Sequence, residues 1–436
     1  MNSCIGIRRE DKNKWERRVP LTPEHLKKLK KEYSLDFVVQ PSKIRVFKDE
    51  EYKNVEALVN EDLSSCRTIF AIKEIPQELF EREKTYVFFA HVIKGQKHNM
   101  PMLKKMMELG CNLIDYERIV NEKGFRLIFF GKWAGLAGMT NTLAAFGERL
   151  NSQGIENPFN EIKHTYQYKD LDELKKAVLK VGEKIKIHGL PKEIVPMVIG
   201  LAGYGNVSKG CQETLSYLPI QEIPPEKLKT FFEKKDFSDR MVYKVVFKEE
   251  HMVQTKSSDN KFELYDYYNH PEKYQGIFPS HIPYLSILMN CIYWDKQYPR
   301  LVTKELAKKM FEEEKEPRLK VIGDISCDIN GAIEFTVKAT NIDNPTFVYD
   351  PKEDRIHDGL EGRGIVVMAV DNLPCELPKE SSTDFGKVLI EFIPDIANAD
   401  FSVEFEHLKL PLPIKKAVIL YHGKLTQDYK YIEKFL

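Results

Sequence analysis

The amino-acid sequence predicts an α/β protein built on parallel sheets. Short apolar segments alternate with helical stretches over the first third of the chain, and a second series of this kind opens at residues 194–201. This alternation is typical of parallel strands joined by crossover helices. At about 150 residues per domain, the 436 residues of the chain correspond to two or three domains.

The elements of the first third follow one another in a regular order. A Thr-Pro-Glu sequence at residues 22–24 is typical of a helix start, because Thr caps the first turn and Pro fits its first position. We expect this helix to reach about Tyr33 and a second one to cover residues 100–109. Apolar segments predict strands at residues 68–73, 86–91, 112–116 and 126–130.

The remainder of the chain continues the same rhythm. Small residues favour a close-packed helix over residues 135–150, and the polar residues 157–193 predict a surface helix with a connector. The Lys- and Glu-rich residues 224–262 are interpreted as a decoration of the second α/β unit. Further strands are predicted at residues 194–201, 218–223, 285–294, 319–325, 365–370 and 417–420.

Composition excludes several classes of partner. The 66 Lys and Arg residues balance 66 Asp and Glu residues, whereas a nucleic-acid-binding chain usually carries a basic surplus, so no nucleic-acid partner is expected. No apolar run approaches the about 20 residues of a membrane span, so no membrane partner is expected either. Since no secretory leader precedes the first apolar segment, we expect a cytoplasmic protein, or a mitochondrial one if a targeting extension is missing.

Cysteines and acids do not form a metal-binding pattern. The seven cysteines stand singly, which is typical of buried thiols in a reducing compartment. Asp324 and Asp328 flank a Ser-Cys pair, but no His joins them at ligand spacing, so no metal site is predicted. We interpret these two acids as contacts for a substrate amine or a ribose.

The most informative local pattern is a glycine-rich turn directly after the strand predicted at residues 194–201. Glycines at a strand-to-helix turn let the backbone approach a pyrophosphate, and the helix N-terminus supplies amide donors. Ser208 stands where the GxGxxG pattern has its third glycine, so an ordinary glycine turn is the alternative. The residues expected to hold a dinucleotide are Gly203, Gly205, Asn206, Val207 and Ser208.

The choice between NAD and NADP depends on the residue that ends the next strand. An acid there binds the ribose 2′-hydroxyl and repels a 2′-phosphate. Glu222 is the acidic candidate, and the uncharged Pro224 is the alternative for that position. Arg240 and Lys244 follow as basic candidates for a phosphate, so the residues alone leave both cofactors open.

A second constellation of charged residues occupies the first third of the chain. Its members are Arg18, Lys73, His91, Lys94, Glu117 and Arg126. Arginine forks bind carboxylates bidentately, His titrates near neutrality, and burial lowers the pKa of a Lys. For each residue alone, a solvated strand end or a structural His is the alternative. Because parallel sheets bind ligands at the carboxyl ends of their strands, Lys73, His91 and Glu117 lie where a site is expected. Arg18 and Arg126 would suit an acidic substrate there.

Ordered motifs along the whole chain resemble lysine–ketoglutarate reductase, the reductase half of α-aminoadipic semialdehyde synthase. More distantly, the chain is similar to lysine-forming saccharopine dehydrogenase and to alanine dehydrogenase. The resembling motifs are at residues 7–10, 15–23, 88–94, 130–135, 205–210, 290–294, 324–328, 333–335, 356–358 and 370–374.

The resemblance implies an NADPH-dependent condensation of L-lysine with 2-oxoglutarate to saccharopine, with NADH as an alternative cofactor. It implies Lys73 and His91 as the acid–base pair, and Arg18 and Arg126 as ligands of substrate carboxylates. Glu16, Lys94 and Glu117 would surround that pair, and Asp324 and Asp328 join the expected substrate contacts. Arg240 joins the glycine-rich turn as an expected cofactor contact.

The resemblance also implies two Rossmann-like domains with parallel sheets, separated by an active-site cleft. Residues 1–135 and 341–436 would form the substrate domain, completed by the C-terminal segment, and residues 136–340 the dinucleotide-binding domain. Glu74, beside Lys73, matches the fungal enzymes rather than the animal ones. The open alternatives are an NAD-linked lysine-forming enzyme, an alanine-dehydrogenase-like deaminase and a non-catalytic dinucleotide-binding subunit. A separate saccharopine dehydrogenase and further copies of the chain are candidate partners.

Overall fold

The computed structural model describes residues 4–257 and 261–436. The chain divides into two compact units. The first unit combines Met1–Phe130 with Pro378–Leu436, and the second unit is Gly131–Leu377. Both units are α/β, as predicted.

The described residues form the following strands and helices. The strands are β1 (Cys4–Ile7), β2 (Asp36–Val39), β3 (Leu58–Val59), β4 (Thr68–Phe70), β5 (Thr85–Phe88), β6 (Asn112–Asp115), β7 (Met197–Ala202), β8 (Ile220–Glu222), β9 (Val242–Phe247), β10 (Val253–Thr255), β11 (Tyr274–Gly276), β12 (Ile287–Asn290), β13 (Val321–Asp324), β14 (Thr346–Asp350), β15 (Arg355–Asp358), β16 (Ile365–Met368), β17 (Val418–Tyr421) and β18 (Lys424–Leu425). The helices are α1 (Pro23–Tyr33), α2 (Asp49–Lys53), α3 (Met100–Glu108), α4 (Gly131–Ser152), α5 (Leu171–His188), α6 (Asn206–Leu215), α7 (Leu228–Lys234), α8 (Glu249–Met252), α9 (Leu264–Asn269), α10 (Lys304–Glu313), α11 (Pro378–Leu389), α12 (Ile393–Asn398) and α13 (Leu412–Lys416).

The first unit is organised around an eight-stranded sheet of its described residues. The strand order is β18-β17-β6-β5-β4-β1-β2-β3, and the strands from β6 to β3 pair in parallel. The central strands β4, β5 and β6 are buried along their whole length, because each is a short run of mainly apolar side chains. From the C-terminal segment, β17 pairs antiparallel with β6, so this segment completes the first sheet as predicted.

In the part that the structure describes, the second unit also has an eight-stranded, mainly parallel sheet, but two of its strands do not follow the order of the chain. Within its described residues the strand order is β15-β14-β16-β13-β12-β7-β9-β8, and the strands from β16 to β8 pair in parallel. The hairpin of β14 and β15 closes one edge in antiparallel fashion. The strand next to β7 is β9 and not β8, although β8 comes first along the chain.

Two sequence-based predictions of secondary structure are corrected. Residues 126–130 form no strand, because Arg126 only bridges Val120 across a turn held by the side chain of Asn121. Residues 224–262 are not simple decoration, since they contain the buried strand β9 between β7 and β8. Of that segment, residues 258–260 lie outside the described residues.

The second domain boundary also differs from the prediction. Residues 341–377 belong to the second unit rather than the first. The physical reason is that β16 pairs with β13 and carries β14 and β15 with it into the second sheet. No helix of the described residues combines the length and the apolar character that a bilayer crossing requires.

Candidate functional site

The carboxyl edge of the first sheet collects charged side chains from four strands. Glu10 follows β1, Lys73 follows β4, His91 follows β5 and Glu117 follows β6. These strands pair in parallel and in register, so the segments that follow them emerge at one edge. The sequence-based expectation that Lys73, His91 and Glu117 share a strand edge is therefore met by the geometry.

Lys73 is half-buried at this edge. Burial lowers the pKa of its amine, and the nearby positive charges of Arg18 and Lys12 act in the same direction. Its backbone is fixed by Glu10, whose carboxylate accepts hydrogen bonds from the amides of Ile72 and Lys73 at 2.6 and 3.0 Å. Burial, together with the charge of Glu16, raises the pKa of Glu10 to about 7.

His91 is held by a carboxylate that the sequence-based site did not include. Its Nδ1 lies 2.6 Å from Oε1 of Glu74, and Nδ2 of Asn99 donates to its carbonyl oxygen at 3.2 Å. Burial opposes ionisation of Glu74, but the hydrogen bond and charge of His91, with the charge of Lys12, hold the pKa of Glu74 well below its usual range. A protonated Nδ1 therefore donates its hydrogen bond to Glu74. Nε2 is then the ring nitrogen that remains to accept or donate a proton.

The backbone of His91 is also unusual. Its φ of 48° lies in the left-handed region, which a residue with a β-carbon rarely adopts. Such conformations cluster at functional sites, where the surroundings impose them. The signal that could have found Glu74 is its position directly after Lys73 at a strand end.

Arg18 and Glu16 form a buried ion pair. Nε and Nη2 of Arg18 donate to the two carboxylate oxygens of Glu16 at 2.7 and 2.6 Å, and both side chains are at most 1% exposed. The guanidinium also lies over the ring of Phe130, 4.3 Å from its centroid. The expected carboxylate ligand Arg18 is thus part of a prebuilt, fixed pair.

Two acidic residues lie at the end of β6 and in the turn that follows it. Asp115 is fully buried, its Oδ1 accepts from the amide of Glu117 at 2.8 Å, and burial raises its pKa to about 7. Glu117 is paired with the half-exposed Arg126. Among the described residues, Oδ2 of Asp115 and Oε2 of Glu117 have no hydrogen-bond partner. Lys94 lies exposed in the loop after β5, and its amide donates to Gln96.

The glycine-rich turn of the second unit joins β7 directly to α6. Gly203 has φ 104°, and a β-carbon there would approach the carbonyl oxygen of Cys291 to 3.2 Å. A β-carbon on Gly205 would meet no atom within 4 Å, so the space in front of the first turn of α6 is open. Beside this loop lies a cavity of about 370 Å³.

Helix α6, which follows the turn, packs closely against α4. A β-carbon on Gly210 would lie 2.0 Å from the carbonyl oxygen of Lys132, and one on Gly135 only 1.8 Å from that of Val207. These glycines let α4 and α6 touch, which is the packing role of the third glycine in the GxGxxG pattern. Ser208, at the expected third position, is buried inside α6.

Family models match two stretches of the chain. The model "Alanine dehydrogenase/PNT, N-terminal domain" matches residues 6–137, and "Alanine dehydrogenase/PNT, C-terminal domain" matches residues 292–428. The chain carries both domains of the alanine dehydrogenase/PNT family. Among solved structures, an L-alanine dehydrogenase superposes with a TM-score of 0.63 at 15% identity, covering 99% of this chain and 98% of that one. A transhydrogenase from Sinorhizobium meliloti superposes with a TM-score of 0.56 at 14% identity, covering 97% of this chain and 100% of that one, and both matches show the fold.

Curated relatives are similar at higher identity. The "Alpha-aminoadipic semialdehyde synthase" of Arabidopsis thaliana is 40% identical over 99% of this chain and 41% of its own length. The mitochondrial protein of that name from Bos taurus is 36% identical over 99% of this chain and 48% of its own length. The chain spans about half the length of these relatives. A "Saccharopine dehydrogenase [NAD(+), L-lysine-forming]" of Neurospora crassa is 28% identical over 89% of this chain and 90% of its own length.

In this alanine dehydrogenase/PNT chain, the sheet places the expected cofactor contact Arg240 and the acidic candidate Glu222 away from the glycine-rich turn. Arg240 is exposed and precedes β9, whereas the glycine-rich turn follows β7, so in these parallel strands the two stand at opposite sheet edges. Glu222 ends β8, the outer strand, where it pairs with Lys244 at 2.9 Å. Lys244 also donates to Gln212, so its ammonium has two partners within the chain.

Two expected substrate contacts, Asp324 and Asp328, lie in the second unit of this family fold. Asp324 ends β13 and is buried, and it accepts hydrogen bonds from Asn290 Nδ2 at 2.8 Å and Thr336 Oγ1 at 2.6 Å. Burial raises its pKa to about 6. Asp328 is exposed in the following loop. Asp324 thus connects β13 to Asn290 and Thr336 through hydrogen bonds, and its expected contact with substrate stays a prediction.

A cluster of two acidic side chains and one histidine in the described residues lies outside the predicted sites. Asp350, Glu353 and His357, on the hairpin of β14 and β15, place one ligand atom each within 4.8 Å of the others. Arg355 already engages this group, because it pairs with Glu353 and its Nε lies 3.1 Å from Nε2 of His357.

Proposed function

We propose that the chain condenses L-lysine with 2-oxoglutarate and reduces the resulting imine to saccharopine with a reduced nicotinamide dinucleotide. The observation that carries this proposal is the desolvated Lys73 beside the His91–Glu74 pair, at a strand edge lined with charged groups. The similarity to α-aminoadipic semialdehyde synthases over 99% of the chain supports the choice of substrates.

The first step requires a neutral amine. The ε-amine of free lysine has a pKa near ~10.4, so deprotonating it at pH 7 costs roughly 4–5 kcal/mol. Lys73 can accept that proton because its own pKa is lowered by burial and by Arg18 and Lys12. Nε2 of His91, with the ring oriented by Glu74, then serves the proton transfers of carbinolamine formation and dehydration.

The carboxylates of the substrates require cations. In this proposal Arg18 and Arg126 bind them, and each is already paired with an acid, Glu16 and Glu117 respectively. The pairs orient the guanidinium planes before substrate arrives, so less conformational freedom is lost on binding. Lys94, exposed in the loop after β5, adds positive charge at the same edge.

The glycine-rich turn fits a dinucleotide. The open space at Gly205 and the first turn of α6 would receive the pyrophosphate, with Asn206, Val207 and Ser208 supplying the helix start. When bound, the reduced cofactor supplies the hydride. The resemblance favours NADPH and the family fold is compatible with either form, so the cofactor class proposed here is a nicotinamide dinucleotide.

The lysine-forming direction is the second candidate. It is the same reaction reversed, and it is favoured by the saccharopine dehydrogenase of Neurospora crassa, because 90% of the length of that relative is spanned. Initial rates measured in both directions at neutral pH would decide which one the enzyme favours.

The proposal is tested by following the absorbance of reduced nicotinamide with lysine and 2-oxoglutarate, with saccharopine identified by mass spectrometry. We expect oxidation of the cofactor only when both substrates are present. Pyruvate with ammonia is the control for a deaminase. Absence of saccharopine, or faster oxidation with pyruvate and ammonia, would overturn the proposal.

A further inference from the structure

The strand order of the second sheet decides which residue borders the glycine-rich turn. Strand β9 pairs with β7 along its whole length, from Met197 opposite Val242 to Ala202 opposite Phe247. The amide of Gly203 continues this ladder by donating to the carbonyl oxygen of Phe247 at 2.9 Å. The segment after Phe247 is therefore the neighbour of the glycine-rich turn, and the segment after β8 is one strand farther out.

Two residues beyond Phe247, Glu249 opens the short helix α8 and lines the cavity beside Gly203 and Gly205. The hydroxyl of Tyr268 donates to Oε1 of Glu249 at 2.6 Å, and Tyr204 hydrogen-bonds the same side chain. Burial and the charge of Glu249 raise the pKa of both phenols, so they remain protonated donors. Glu249 is thus an oriented carboxylate, and two of its roughly four acceptor positions stay available.

The one cation among the described residues that line the cavity is engaged by the chain itself. Of the residues that line it in the described chain, the charged ones are Glu249 and Arg300. The guanidinium of Arg300 donates to the carbonyl oxygens of Gly331 and Asn330 at 3.1 and 3.0 Å and pairs with Glu334. Its charge is directed to the chain itself, so the charge that a bound ligand meets is the carboxylate.

We propose that Glu249 selects the cofactor, by accepting hydrogen bonds from the adenosine ribose hydroxyls of NADH and repelling the 2′-phosphate of NADPH. An acid that follows the strand beside the glycine-rich turn has this effect in dinucleotide-binding folds. The selection rests on the proposed function only in requiring that a dinucleotide binds. It replaces NADPH by NADH as the preferred form and moves the deciding acid from Glu222 to Glu249.

The test is direct binding, by isothermal titration calorimetry and by the fluorescence of the reduced nicotinamide, with NADH and NADPH titrated separately into the full chain. We expect the wild type to bind NADH about tenfold to a hundredfold more tightly than NADPH, because a charged hydrogen bond is lost and like charges meet. Glu249→Gln should weaken NADH binding, strengthen NADPH binding and bring the two dissociation constants close together.

Two matched substitutions serve as controls. Glu250→Gln removes an exposed acid from the next position, and Glu222→Gln removes the acid that ends β8. Both should keep the wild-type ratio of dissociation constants, and unchanged thermal midpoints would show that all three variants are folded.

The outcomes separate this inference from the proposed function. Equal or tighter binding of NADPH by the wild type, or a ratio that follows Glu222 instead of Glu249, overturns the selection while saccharopine formation stands. A chain that binds neither dinucleotide overturns the selection and the proposed function together. A Glu249-dependent preference for NADH without saccharopine formation supports the selection and overturns only the proposed substrates.

Discussion

The carboxyl edges of the two sheets differ although the sheets share one plan. In the first unit, residues 8–22 separate β1 from α1 and carry charged side chains such as Glu10, Glu16 and Arg18. In the second unit, only residues 203–205 separate β7 from α6, and two of the three are glycines. The long connection has room for side chains that bind and move protons, whereas the short one exposes backbone amides at a helix N-terminus.

The electrostatic character of the two edges differs accordingly. The first edge holds buried acids, among them Glu10 and Asp115, whose pKa values burial raises to about 7. The cavity at the second edge is lined by tyrosines and apolar groups around a single carboxylate, Glu249, and the self-engaged Arg300. If the proposed function holds, one architecture serves proton chemistry or ligand binding according to the length of the connection that follows its first strand.

The largest expected effect tests whether proton chemistry belongs to the first edge alone. Lys73→Met and His91→Asn should each lower turnover of saccharopine formation by about 10²–10⁴-fold, because each removes an acid–base group. Dinucleotide affinity, measured by titration calorimetry, should stay unchanged in both variants. Lys97→Met, at an exposed position of the same region, is the control and should keep wild-type turnover.

Wild-type turnover from the Lys73→Met, His91→Asn double variant would remove both residues from the mechanism. Weakened dinucleotide binding in either variant would show that the two edges are not independent, which breaks the comparison itself.

The next effect concerns the stability of the first unit. Glu16→Gln should lower the free energy of unfolding by about 3–5 kcal/mol, because it leaves the guanidinium of Arg18 buried without its counter-charge. Urea unfolding followed by circular dichroism measures this change. Glu61→Gln, which breaks the exposed pair with Arg9, should cost less than about 1 kcal/mol. Equal losses in the two variants would contradict the assignment of the Arg18–Glu16 pair as a structural element of the edge.

Much of the sheet core could be predicted from the sequence, because buried strands are short apolar runs. Strands at β4, β5, β6, β12 and β13 were predicted within a few residues of their observed bounds. Strand β9 was missed because Lys244 interrupts its apolar run, and its ammonium reaches Glu222 and Gln212 outside the core. No local pattern encodes the order of strands in a sheet. The sequence therefore offered Glu222 or Pro224 as the residue beside the glycine-rich turn, whereas in the sheet the segment after β9, with Glu249, borders that turn.

Some charged residues of the first edge can be recognised in the sequence, and others cannot. Lys73, His91 and Glu117 are recognisable because each follows a predicted strand. Glu10 acts through contacts with distant backbone, such as the hydrogen bond that its carboxylate accepts from the amide of Ile72. Pairing across more than sixty residues leaves no local signal, so this position requires the folded chain.

A smaller effect should appear in the pH dependence of stability. Burial and the charge of Glu16 raise the folded-state pKa of Glu10 from its ordinary value of 4.5 to about 7. Its stabilising contribution is therefore complete below pH 4.5 and is lost as the pH rises to 7, because only the native state keeps the proton in that range. The free energy of unfolding of the wild type, relative to Glu10→Gln, should fall by up to about 1.4 kcal/mol per pH unit across this window.

Urea unfolding at pH 5, 6, 7 and 8 would measure that slope. A flat difference, or one that rises with pH, would contradict the buried, protonated state of Glu10. Glu376→Gln gives the comparison in the second unit, where burial raises the pKa of Glu376 to about 8. It should show a similar slope with unchanged turnover, whereas Glu10→Gln should also shift the pH profile of turnover through Lys73.

The smallest effects separate ligand binding from packing within the second edge. Gly205→Ala should weaken dinucleotide binding about tenfold with little change in the thermal midpoint, because its β-carbon enters open space where the pyrophosphate would lie. Gly210→Ala should instead cost about 1–3 kcal/mol of stability, because its β-carbon would lie 2.0 Å from the carbonyl oxygen of Lys132. Calorimetric titration measures the dinucleotide affinity of both variants, and thermal unfolding measures their stability. We expect Gly205→Ala to change only the affinity and Gly210→Ala chiefly the stability. If Gly205→Ala binds the dinucleotide with wild-type affinity, the open space at Gly205 is not the pyrophosphate position. The backbone amides at the second edge would then have no ligand-binding role to set against the charged side chains of the first edge.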